Sequence, residues 1–122
     1  MHHLFSISGR AGRLEYFIHS FADVFALIVA FALVVMISGE DAMSSASESE
    51  PSIAGLLFFL VVLAIGIVAE VCVTIRRLHD LGMSGSYFLG TMIPVYNFYL
   101  GYILLFERGE QGENPYGPPL WR

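Results

Sequence analysis

"SIAGLLFFLVVLAIGIVAEVCVTI", residues 52–75, carries one charge, Glu70, in 24 positions. At about 1.5 Å of rise per residue, a helix of this length covers about 36 Å. That exceeds the roughly 30 Å of hydrocarbon in a bilayer. A helix also satisfies its own backbone in lipid, where no water can do so. Two further runs have the same character: "FIHSFADVFALIVAFALVVMI" at 17–37 and "YFLGTMIPVYNFYLGYILLF" at 87–106. Together they predict an all-α fold, an integral membrane bundle of three transmembrane helices. Pro94 and Asn97 lie inside the third run. Both are placed to break it, which opens a second form, in which the run is kinked or re-entrant and brings the tail back to its starting side.

Composition supports the same class. Of 122 residues, 56% are hydrophobic and 14% charged, against roughly 25% charged in an ordinary soluble domain. The net charge of −5 argues against nucleic acid as a partner. Cys72 has no second cysteine to pair with and no zinc-ligand spacing around it. The length suits a single membrane domain, 1–122.

The segments between the runs differ in charge. Residues 1–16 form a polar leader holding Arg10 and Arg13. Residues 38–51, "SGEDAMSSASESEP", hold four acids and no base, and Gly39 is placed to end the first helix. Residues 76–86 open with Arg76 and Arg77, and residues 107–122 form a Gly/Pro-rich tail. Arginine accumulates on the cytoplasmic side of membrane proteins. The leader and the 76–86 loop are therefore expected in the cytoplasm and the acidic loop outside. A third full crossing would carry the tail outside as well.

Polar residues inside the runs are costly, about 2.5–3.5 kcal/mol for an ionised acid at mid-helix on the insertion scale. Asp23 and Glu70 both lie about 9 Å from the cytoplasmic ends of their runs. His19 is one turn from Asp23. Small or polar residues recur at helical spacing as Ala22, Ala26 and Ala30, as Gly66, Glu70 and Thr74, and as Gly90, Pro94, Asn97 and Gly101. If these faces meet, His19, Asp23, Glu70 and Asn97 form an intramembrane polar cluster. Mutual satisfaction is one use of such a cluster, and a proton or ion site is the other. No compact metal-ligand motif is present, no cofactor is implied, and the tail lacks a nucleophile and base.

Three blocks carry a resemblance: "SGRAGRLEYF" (8–17), "RRLHDLGMSGSYFLGTMIP" (76–94) and "GEQGENPYGPP" (109–119). The chain resembles the bacterial domain-of-unknown-function 805 family, small inner-membrane proteins of the YhaH-like type. Phe17 stands where that pattern has Trp, Ser86 and Tyr87 where it has a Trp pair, and Pro118-Pro119 lacks an acid expected in the tail. The resemblance implies a multi-helix protein of the bacterial cytoplasmic (inner) membrane and implies no activity. It draws attention to Gly9, Arg10, Arg13, Glu15, Arg76, Arg77, His79 and Asp80, and in the tail to Asn114, Tyr116 and Gly117. The leader and "RRLHD" are expected on one side, so Glu15 or Asp80 should pair with the arginines across them.

The functional expectation is a non-enzymatic membrane component with no catalytic residue. Its partners would be the bilayer, through anionic headgroups at Arg10, Arg13, Arg76 and Arg77, and a membrane protein or a second copy of itself. The alternative is an oligomeric proton- or ion-linked transporter or channel using Asp23 and Glu70. A metal-dependent membrane hydrolase ranks last.

Overall fold

The computed structural model describes residues 5–44 and 53–120, the stretch 37–44 by its backbone. The fold is all-helical: α1 Arg13–Ser44, α2 Ile53–Asp80, a 3-10 helix Gly85–Met92, and α3 Pro94–Phe106. Among the described residues two helices are long and apolar enough to cross a membrane, Arg13–Met36 of α1 and the whole of α2.

The helix boundaries correct the expected ones. α1 begins at Arg13 and runs through Gly39 to Ser44, so Gly39 does not end it. The rest of the acidic loop, 45–51, lies outside the described residues. α2 continues past Ile75, so "RRLHD" forms its last turn instead of opening a loop. Arg77 and His79 there face the negative end of the helix macrodipole, where basic groups are favoured. A Schellman motif stops the helix. Gly82 adopts φ 72°, its N–H reaches His79 O at 3.1 Å, and Met83 N–H reaches Leu78 O at 2.9 Å.

The third run is two pieces. The 3-10 helix ends at Met92, Ile93 caps it, and Pro94 opens α3, where its missing N–H costs nothing. α3 has 13 residues, or about 20 Å, well short of the hydrocarbon thickness. A third spanning helix is therefore not found among the described residues. The break falls at Pro94, while Asn97 lies inside α3 and starts no break.

The chain forms two compact units. The first comprises Met1–Phe21 and Val68–Arg122. Its core is Leu78, Leu100, Ile103 and Leu104, with Tyr16, Leu81, Met83, Phe88 and Tyr96 packed against it. The Tyr96 ring lies directly over Gly90, where any Cβ would overlap it.

The second unit, Ala22–Ile67, pairs the later part of α1 with the first part of α2 in antiparallel fashion. Phe31 meets Phe59 edge-on at 6.1 Å, and Asp23 and Ala26 share a cavity with Val62, Ile65 and Gly66. Ala30 is buried, but Phe25, Ile28, Leu57 and Val61 each stay more than half exposed. A contiguous apolar surface of this extent marks a binding or membrane face. The small residues do not all serve close backbone approach as expected. A Cβ on Gly66 or Gly101 would meet nothing within 4 Å.

Candidate functional site

Asp80, the last residue of α2, is fully buried. Its carboxylate receives two guanidinium groups. Arg10 Nε donates to Oδ1 at 2.9 Å and Arg77 Nη1 to Oδ2 at 2.5 Å. Both arginines are also buried. A single carboxylate cannot satisfy two forks of five donors each. Backbone carbonyls take up the rest. Arg10 Nη1 donates to Gly112 O at 2.9 Å and more weakly to Gly117 O, while its Nη2 donates to Glu110 O. Arg77 Nε donates to Leu104 O at 2.8 Å and its Nη2 to Glu107 O at 2.6 Å. Those two carbonyls belong to the open C-terminal end of α3, so Arg77 caps that helix with charge of the favourable sign.

The same knot pins the leader and the tail. Ala11 N–H donates to Arg76 O at 3.0 Å, and Glu110 N–H donates to Asp80 O at 2.8 Å. Gly109 packs so closely on the Asp80 carboxylate that a Cβ there would overlap it. The His79 ring stacks on Tyr116 at 3.8 Å, nearly parallel, and its Nδ1 lies 3.3 Å from Gly9 O. Asn114 Nδ2 donates to His79 O and to Glu110 Oε2, each at 2.9 Å. Asn114 also caps its own turn, accepting from Tyr116 N–H at 3.0 Å and pairing with Gly117 through the backbone. Glu15 lies 2.9 Å from the buried Arg76, a close charge contact without hydrogen-bond alignment. Glu15 and Asp80 thus both pair with arginines.

The arginines expected at lipid headgroups divide. Arg10, Arg76 and Arg77 are buried and turned inward. The donors of Arg10 and Arg77 meet protein oxygens of α2, α3 and the tail, whereas Arg76 has only its charge contact with Glu15. Arg13 keeps partial exposure and makes one long bond, 3.3 Å to Phe106 O.

The four residues of the expected intramembrane cluster are described unit by unit. In the first unit, Glu70 accepts from Ser20 Oγ at 2.8 Å, a partner that sequence reading missed although serine is a common bonding group between helices in lipid. His19 is partly buried, and Asn97 is exposed on α3 instead of interior. Asp23 belongs to the second unit, where it lines a cavity of about 250 Å³ with Ala26, Leu27, Val62 and Gly66. No group of three His, Cys, Asp or Glu side chains able to hold a metal ion occurs among the described residues.

An all-helical chain with two long apolar helices, closed by a polar knot of leader, α2 end and tail, defines a class: a small helical protein of membrane-protein character. The sequence comparison makes the class specific. The chain belongs to the family described as protein of unknown function (DUF805), whose model matches residues 4–118. No curated protein and no solved structure matches it.

Proposed function

We propose that the protein is a non-enzymatic component of the bacterial inner membrane that crosses the bilayer twice and serves by binding lipid or a membrane partner. α1 and α2 are the crossings. The segment from Leu81 to Phe106 enters from the cytoplasmic side and returns to it, and the leader and tail share that side. One observation carries the reading: both ends of that segment are tied to the same knot. It leaves from Asp80, and it comes back to Arg77 at Leu104 and Glu107 and to Asp80 at Glu110. The residues richest in chemistry, Arg10, Arg77, Asp80 and Asn114, are engaged in holding the fold together. The binding capacity then lies in the exposed apolar helix faces and the rim of the knot.

Ion-linked transport is the competing reading, and it draws on Asp23 beside its cavity. Proteoliposome flux separates the two. The purified protein should pass no proton or cation current above empty vesicles. Flux that Asp23→Asn or Glu70→Gln removes, with the protein still folded, would replace the proposed reading with transport.

A further inference from the structure

Five of the six arginines lie among the described residues. Arg10, Arg76 and Arg77 each have a carboxylate partner. Arg13 and Arg108 have none within ion-pair distance among the described residues, although Glu107 adjoins Arg108 in the chain and Glu110 and Glu113 are near it in sequence. The Glu110 carboxylate is held by Asn114. These two unpaired arginines line one cleft of about 250 Å³, together with Gly109 and Gln111. Arg13 also lines a second groove of about 470 Å³, whose remaining walls are Leu14, Phe17, Leu105 and Phe106. The two spaces therefore meet at Arg13, one basic and the other apolar. Both lie wholly within the first compact unit.

We infer that Arg13 and Arg108 clamp the phosphate of an anionic phospholipid whose acyl chain lies along Leu14, Phe17, Leu105 and Phe106. This rests on the membrane reading above and names the ligand class that the rim of the knot takes. Charge complementarity decides the head. Two guanidinium groups that have no carboxylate partner among the described residues line one cleft, and a phosphodiester there would take charge-assisted hydrogen bonds from both. Apolar continuity decides the tail. The groove starts at the residue that holds the head, and its walls lie at the first turns of α1 and the last turn of α3, where a membrane interface would fall. A soluble phosphate would use the cleft and gain nothing from the groove.

The test is lipid retention by native mass spectrometry. Full-length protein is exchanged into detergent from vesicles holding equal amounts of phosphatidylglycerol and phosphatidylcholine. Wild type should keep one phosphatidylglycerol in preference to phosphatidylcholine. Arg13→Ala with Arg108→Ala should cut that preference at least tenfold, and lysine at both positions should restore part of it. Phe17→Ala with Leu105→Ala should weaken retention of both lipids. A thermal melt on each variant verifies folding. Unchanged preference in the folded double-alanine variant would overturn the assignment. Displacement of the lipid by millimolar inorganic phosphate would overturn it too, leaving a soluble-anion site. Ion flux in the earlier assay would count against the membrane-component reading and leave the lipid measurement standing.

Discussion

Asp80 is one carboxylate between two buried cations, and removing its charge should be felt more than any other single change in the chain. Breaking a buried ion pair by removing one partner costs about 3–5 kcal/mol, because the remaining charge stays in low dielectric. Asp80→Asn leaves Arg10 and Arg77 without their shared counter-ion. We expect a loss of about that size in denaturant unfolding in detergent. Glu15→Gln, at the partly exposed end of its pair, should cost clearly less. At this scale the sequence was legible in part. The carboxylates and the arginines that meet them stood out in the motif blocks, because side-chain charge is written in the letters. The carbonyls of Leu104, Glu107, Glu110 and Gly112 that complete the knot did not, since every residue carries a carbonyl and only the fold selects which ones turn inward. Ser20 was missed for a related reason. Its bond to Glu70 joins residues 50 apart, with no local pattern to announce it.

The third apolar run shows what element-level reading can and cannot do. Its length argued for a span, and Pro94 argued for a break. The structure follows the proline, because α3 starts on it and the chain before it is a 3-10 helix. Composition could not weigh the two, since a kinked spanning helix and a returning pair contain the same residues. The deciding feature is Gly90 beneath the Tyr96 ring, which folds the 3-10 helix against α3. Gly90→Ala should therefore destabilise the protein, by about 1–3 kcal/mol for an overpacked contact. Gly101→Ala, in the same region but with open space around its Cβ, should be neutral or stabilise by about 0.5–1 kcal/mol through helix propensity. A lowered melting temperature for Gly90→Ala and none for Gly101→Ala is the expected result. Equal effects would mean that the 3-10 helix does not rest on α3.

For the whole molecule, the number of crossings is the property that matters, and it sets where the tail lies. Cysteine labelling reads this directly. In a Cys72→Ala background, single cysteines at Ser8 and Gln111, both exposed, should react with a membrane-impermeant maleimide only after spheroplasts are lysed. Labelling of the Gln111 position in intact cells, with Ser8 protected, would restore a third crossing. The apolar character of the two long helices was legible in the sequence, whereas the closing of the leader over the α2 end and the tail was not, because it depends on contacts between residues 70 to 107 positions apart. Those separations also set an order of events in time. Arg10 is translated 70 residues before Asp80 and 102 before Gly112. During synthesis it has neither partner, and its charge stands open to whatever reads basic residues at the membrane surface. Burial comes only after the tail emerges. On the proposed two-crossing topology the arginines would act first as orientation signals and later as internal fasteners, and closing the fasteners would hold that orientation.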